Sequence, residues 1–501
     1  MRVRDLPTFA LITAAAIAAR LPFLLRADRF FDADEAVEGL MARHLGDHSL
    51  FLWGQRYKGT PEVVLTGALF HVAGPGVIAL KAVTLACFVV FLCVNFRLLE
   101  RVLSRGVAWM ATAFFIAGPP SLVLWTLSGS AEIVMTMLVG SVLLLAVLPA
   151  PLKGSPCKAA YVAAFALGVG LWIQQYILYY VVSLLIAAAV VTPEWRGIAR
   201  DTIRARMPGW LRGATAALLA AGSFYVVLGL IPFFMIQVHV TVAGLPIAVT
   251  NPQKMWWLAG TLFAGAALVA IVAIFRERLI APALAFLTGY SPAIIGRIGN
   301  HGLGAPISRL DLSGLRHALP DITTVMLPIF AGWRDPVGSP TVSPWLALVP
   351  LLLVVISYWS AWRRRLNPVF HLFPLVAGAL FLASGSYIDA QSYRYLMPIY
   401  AALPVVYAVG VHAAWNRSRI AGTALLMIAL SVFAAQQIDW YSRLQPDLVS
   451  ARAPYWQSYT VTFLTGERII VSPLDGVDRY APFAEQTRNA PLLESVLASC
   501  R

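Results

Sequence analysis

The sequence predicts an all-α polytopic membrane protein, and three observations carry that prediction. Of 501 residues, 59% are hydrophobic and only 12% charged, against ~25% charged in ordinary soluble domains. Mean hydropathy is +0.74. Apolar stretches of about 18 residues or more, the length that crosses a ~30 Å hydrocarbon core, recur along the chain. Together these exclude a soluble enzyme, a disordered chain and a disulfide scaffold. The cysteines agree. Cys87 and Cys93 share one apolar stretch, Cys157 lies in a short loop and Cys500 beside the terminus, a pattern that gives neither a disulfide framework nor a zinc site.

The opening MRVRDLPTFALITAAAIAARLPFLL has the basic start, apolar run and Ala-x-Ala pattern of a signal peptide. So many apolar runs follow that it reads instead as an uncleaved first helix, at about 6–25. Further runs lie at about 77–98, 107–124, 131–149, 159–172, 175–191, 213–236, 256–275, 279–297, 345–362, 367–384, 396–415 and 419–436. The expected count is about thirteen spans. The stretch 159–191 is long for one span and short for two, which leaves the count open by one or two.

Charge tests this map. With a cytoplasmic N-terminus, the inside loops hold 19 Lys and Arg, from Arg2 and Arg4 to Arg417 and Arg419, against five acids (Asp5, Glu100, Glu194, Asp201, Glu277). That excess of 14 equals the net charge of the whole chain, +14. Basic residues concentrated on alternate loops are a topology signal, so the basic balance does not point to nucleic acid. The expected location is the cell inner or plasma membrane. The long irregular segments, 27–61, 298–344, 385–395 and the tail from 437, then fall outside, with most of the acids. Chemistry, if present, faces the extracytoplasmic side. The expected division is a transmembrane domain, 1–436, and a small mixed α/β extracytoplasmic cap, 437–501, whose segments TVTF and RIIVS read as two short strands. The Gly- and Pro-rich 298–344 is a candidate cover over a site.

In the first outer loop, Asp32, Asp34, Glu35 and Glu38 cluster just past the first span. The stretch EAVEGLMARHL has apolar residues at helical spacing and reads as an amphipathic interfacial helix. Asp34 and Glu35 then sit at its amino end, where free N–H groups and the helix dipole favour carboxylates. Spacing alone favours a simple N-cap with a solvated acidic face.

These residues resemble the lipid-linked-sugar glycosyltransferases of the GT-C fold, most closely the protein mannosyltransferase and aminoarabinose transferase branch (family 39/83-like). The resemblance rests on FDADEAVEGLMARHL, then WGQRYKGTPEVVLTGALFHVAG before the second span. It extends to SGSAEIVMTMLVG, which puts Glu132 at the outer end of the fourth span, and SYRYLMPIY, which puts Arg394 and Tyr395 at the outer start of the twelfth. One departure stands out. The aminoarabinose-type Glu-Lys-Pro is replaced by Gly59-Thr60-Pro61, with Lys58 and Glu62 on either side.

The resemblance implies an inverting transfer of a hexosyl or pentosyl group from a polyprenyl-phosphate donor to a hydroxyl of a lipid, glycan or protein acceptor. Asp34 matches the family's catalytic aspartate and is the expected general base, which a weakly nucleophilic hydroxyl needs; Glu35 orients it or caps the helix. Lys58, Arg394, Tyr395 and, less strongly, Arg56 are the expected contacts to the donor phosphate, whose charge grows as the glycosidic bond breaks. Arg394 also reads as an interfacial arginine and Tyr395 as a headgroup anchor. Glu132 is a supporting acid that binds a divalent metal, pairs with Arg394 or caps its helix. No cofactor is certain; a divalent metal is possible. Arg20 and Lys81, in or near spans, are candidate partners of the acids. His301 and His317 lack ligand spacing. The alternative readings are a transporter or flippase, for which the chain lacks an evident internal repeat, and a ligase of the O-antigen type.

Overall fold

The computed structural model describes residues 5–47, 50–55, 57–148, 157–191, 208–233, 238–242, 245–249, 280–298, 318–341, 348–364, 366–384, 387–444, 454–467, 470–473 and 479–487, with a few more between 255 and 269 and at 346. The described chain is helical apart from an antiparallel hairpin, Val238–Val242 with Leu245–Val249, which pairs Val238 with Val249. Helices occupy most of the expected apolar runs, with α2 and α3 outside them: α1 Leu6–Leu24, α2 Ala33–Arg43, α3 Pro61–Ala73, α4 Val77–Val102, α5 Arg105–Ile116, α6 Pro120–Trp125, α7 Glu132–Val147, α8 Cys157–Ile173, α9 Ile177–Val191, α10 Gly209–Phe233 and α11 Ile280–Arg297. They continue as α12 Ala318–Phe330, α13 Leu348–Arg364, α14 Val369–Ser384, the 3₁₀ helix Ala390–Ala401, α15 Leu403–Arg417 and α16 Arg419–Arg443, with α17 Pro454–Leu464 and α18 Ala481–Thr487 in the tail.

Among the described residues, four helices are long and apolar enough to cross a membrane by themselves, and a fifth span arises if Ala390–Ala401 and Leu403–Arg417, bent by 50°, count as one. Most other expected spans are shorter apolar helices, 279–297 is an 18-residue helix and 256–275 lies mostly outside the described residues, so the described lengths alone do not give a count of thirteen. The run 107–124 shows why. Gly118-Pro119-Pro120 breaks it into α5 and α6, because proline can neither donate a backbone hydrogen bond nor follow a helical residue easily. The carbonyls freed by the break lie in the interior and need donors. Arg20 supplies them from α1: its Nη1 donates to Ile116 O at 2.6 Å, Nη2 to Phe115 O at 3.1 Å and Nε to Thr126 Oγ1 at 2.9 Å. Gln437 Nε2 donates to Gly118 O at 2.6 Å. Arg20 is thus paired with backbone carbonyls, not with an acid.

The main core lies between α1, α4, α5, α7, α15 and α16, around Phe88, Phe91, Phe115, Tyr407 and Phe433. Asp5, beside α1's start, pairs with Arg97 near α4's end, while Lys81 near α4's start meets the chain just beyond α1. Basic residues Arg97, Arg101 and Arg105 therefore stand at one end of α4 and the acidic loop at the other, about 24 Å apart at 1.5 Å rise per residue.

A smaller apolar cluster joins α2 and α3 to the tail through Val37, Leu40, Met41, Trp53, Tyr459, Phe463 and Phe483. It corrects two expectations. Helix α2 is not an interfacial helix with one wet face; from Ala33 to Ala42 it is buried at every position but Asp34. The segment TVTF is not a strand but part of α17, because Tyr459 and Phe463, four apart, form a helical stripe fully buried against α2. The tail lacks the expected α/β character among its described residues. Helix α16 runs through 437 to Arg443. In 298–344 the described residues 318–341 form α12 and a tight turn bridging Arg334 and Pro340. Residues 299–317, with His301 and His317, lie outside the described residues.

Candidate active site in the first outer loop

Helix α2 begins at Asp32, whose Oδ1 accepts from the Glu35 backbone N–H at 2.9 Å. The cap is Asp32, therefore, and not Glu35. With the first turn fixed, Asp34 and Glu38 stand four residues apart on one face, and Glu35 turns to another. Glu35 is 2% exposed and meets Lys81 Nζ at 2.5 Å. Lys81, wholly buried, also donates to Phe30 O at 3.2 Å and lies 4.2 Å from the Phe30 ring centre. Burial pushes the Glu35 carboxyl up to about 7, against the opposing pull of Lys81. Glu35 thus ties α2 to α4 and lies behind the face that Asp34 presents.

Lys58 is held at the end of a tight loop. Phe51 bridges Gly59, and Leu52 N–H donates to Lys58 O at 2.9 Å. Gly59 N–H in turn donates to Trp172 O and Ile173 O, at 3.1 and 3.0 Å, capping the end of α8 at the break that divides 159–191 into two helices. A Cβ on Gly59 would stand 2.4 Å from Trp172 O. The departure Gly59-Thr60-Pro61 is therefore a packing requirement: the loop approaches a helix terminus too closely for any side chain.

So positioned, Lys58 Nζ lies 2.7 Å from Glu38 Oε1 and 3.1 Å from Glu132 Oε2, and donates to Ser130 Oγ at 3.1 Å. Ser130 Oγ donates onward to Glu38 Oε1 at 2.8 Å. Burial disfavours the ammonium, but Glu132 and Glu38 outweigh it and hold the Lys58 pKa well above the ordinary value. Behind them Glu62 is buried with neither carboxylate oxygen hydrogen-bonded. Burial, and then Glu38, push its pKa well above the ordinary carboxyl value. Glu132 is engaged with Lys58, not with Arg394. Among the described residues no three His, Cys, Asp or Glu side chains are placed to hold a metal. The ammonium of Lys58 lies where Glu38 and Glu132 converge, so these carboxylates do not fit a divalent ion.

One cavity of about 250 Å³ gathers Asp34, Lys58, Glu132, Arg394 and Tyr395, five residues drawn from three distant stretches of sequence. Arg394 lies on the 3₁₀ helix Ala390–Ala401, whose start is fixed by a capping box between Asp389 and Ser392. Its Nη2 donates to Tyr395 Oη at 3.3 Å. Glu35 does not line this cavity, and Arg56 lies outside the described residues. A second chamber of about 620 Å³ shares Asp32, Trp125, Ser128, Ile388 and Arg394 with the first and is walled by Phe30, Phe31, Leu124 and Trp440.

Several contributors escape sequence reasoning. Glu38 was legible in principle, at helical spacing from Asp34. Ser128 and Ser130 bracket a glycine in SGSAE, and a Cβ on Gly129 would meet Leu80 at 2.7 Å. Arg479, from the tail, lines the cavity with no local signal at all.

No family model and no curated protein matches the sequence. The structure of ArnT from Cupriavidus metallidurans bound to undecaprenyl phosphate is similar over 97% of this chain and 90% of that one, with a TM-score of 0.52 and 11% identity. The archaeal oligosaccharyltransferase AglB from Archaeoglobus fulgidus, in complex with an inhibitory peptide and a dolichol-phosphate, is matched over 88% of this chain at 13% identity and a TM-score of 0.44. The chain spans 56% of that enzyme's length. The fold is GT-C, as the loop motifs imply.

Proposed function

We propose that this GT-C chain is an integral-membrane inverting glycosyltransferase that moves a sugar from a polyprenyl-phosphate donor to an acceptor hydroxyl on the extracytoplasmic side. The observation that carries the reading is the single cavity holding Asp34 together with Lys58 and Arg394. A carboxylate facing two fixed cations in a confined space suits a displacement in which one end gains a proton and the other gains negative charge.

In the proposed reaction the acceptor oxygen attacks the anomeric carbon from the Asp34 side and its proton passes to the Asp34 carboxylate. The bond from the anomeric carbon to the phosphate oxygen breaks, and the electron pair leaves with the lipid phosphate. Arg394, with a planar fork that matches two phosphate oxygens, receives that charge. Lys58 adds a point charge from a site where Glu38 and Glu132 keep it protonated. One displacement inverts the anomeric centre, without the covalent intermediate of a retaining carboxylate pair. The larger, apolar-walled chamber, which shares Arg394 with the cavity, suits the first isoprene units of the donor. Such a lipid carrier is bound in the ArnT structure.

The test is mass spectrometry of lipids that copurify with the protein, followed by transfer from the identified polyprenyl-phosphate sugar in proteoliposomes. Release of polyprenyl phosphate with a glycosylated acceptor supports the reading. Movement of intact lipid-linked sugar between leaflets with no transfer would replace it by a flippase.

A further inference from the structure

The tail lays a third cation in the cavity. Arg479 lines it together with Gln55, Tyr57 and Lys58, and hydrogen bonds fix its backbone and its side chain. Its backbone N–H donates to the hydroxyl of Tyr459, wholly buried on α17, at 2.6 Å. With the Gln55 amide oxygen turned toward it, that oxygen accepts from Nη1 at 2.8 Å and Nη2 at 3.0 Å, and the Gln55 amide donates to Tyr57 Oη at 3.3 Å. Gln55 thus holds the guanidinium through two hydrogen bonds.

The neighbouring contacts bind the tail to the first outer loop. Tyr480 stacks on Trp53 with centroids 4.0 Å apart and planes 13° apart. Glu467 lies 2.7 Å from His44 Nε2 and 3.7 Å from Arg43 Nη1. Arg479 is therefore presented to the cavity by two aromatic and ionic clasps rather than by a loose end.

We propose that Arg479 binds the phosphate that Arg394 binds, so that the carrier's headgroup is held between the loop and the docked tail. This rests on the donor reading above. The cavity, about 250 Å³, is smaller than the ~300–1,000 Å³ of drug-sized pockets. Arg394 and Arg479 both line it. Beside the point charge of Lys58, which Glu38 and Glu132 hold in place, each arginine can offer a planar fork to phosphate oxygens.

Binding of undecaprenyl phosphate to the full-length protein in detergent, with undecaprenol as the control lacking phosphate, tests the proposal. Arg479→Gln should weaken undecaprenyl phosphate at least tenfold and leave undecaprenol unchanged, whereas Arg479→Lys should lose less than threefold. Equal affinity for wild type and Arg479→Gln overturns the proposal, as does a loss that extends equally to undecaprenol. No binding by wild type overturns the donor reading itself. Should Arg479→Gln not fold, hydrogen exchange on the wild type decides the matter. Undecaprenyl phosphate should slow exchange across 479–487, and unchanged exchange there overturns the proposal.

Discussion

The ammonium of Lys58 lies 3.1 Å from Glu132 Oε2, which joins the loop after the first span to the start of α7. With Glu38 at 2.7 Å on its other side, Lys58 fixes the floor of the cavity on which the proposed chemistry depends. Two acids around one buried ammonium, with a third, Glu62, behind them, make one electrostatically linked unit. Removing any member changes the state of the others.

Asp34→Asn is the sharpest test of the proposed base. The amide is isosteric and Asp34 is the one member of α2's buried stretch that faces the cavity, so folding should be intact. Sugar transfer should fall about 10²–10⁴-fold, the usual worth of a placed base. Turnover by pure variant within threefold of wild type would remove Asp34 from the mechanism.

Arg394→Ala should raise the apparent donor KM about tenfold or more, in line with ~1.5–3 kcal/mol for a charge-assisted hydrogen bond, with little change in acceptor KM. Arg394→Lys should recover only part, because it lacks the fork. Steady-state kinetics with each substrate varied in turn gives the answer, and equal effects on both substrates would count against a phosphate contact.

Lys81→Met should make stability depend on pH. Burial has already raised Glu35 from 4.5 to about 7 despite Lys81; without the cation it rises further. Between 4.5 and the raised value the folded chain holds a proton that the unfolded chain has lost, so stability is present at low pH and declines as pH rises. The unfolding temperature of Lys81→Met should fall more steeply than that of wild type between pH 5 and pH 8. Glu35→Gln instead strands a buried ammonium and should cost about 3–5 kcal/mol. Parallel melting profiles for wild type and Lys81→Met would show that the 2.5 Å contact carries no electrostatic weight.

Gly59→Ala should destabilise the protein by about 1–3 kcal/mol, the usual range for forced overpacking. The added carbon meets a backbone oxygen at 2.4 Å rather than a side chain that can rotate. Because the same peptide fixes Lys58, transfer should fall beyond what the loss of folded protein explains. Thermal melts and specific activity, measured on one preparation, separate the two effects.

The sequence alone determined the class of this protein. Apolar run length, the sign of charge on alternate loops and turn residues are local properties, and each is set by the solvent a segment meets. Local chemistry also placed Asp34 in the first turn of a helix and Arg394 at the start of another. Tertiary structure decided what those residues touch. Glu35 and Asp34 are neighbours in sequence, yet the 100° step of a helix sends one to Lys81 and leaves the other on the cavity. Glu132 chose Lys58 over Arg394 because Gly59 lets the loop close on α8. Arg479 reached the site only through the packing of α17 on α2. Contacts between distant segments depend on shape and on paired burial, and neither is written in the spacing of one segment.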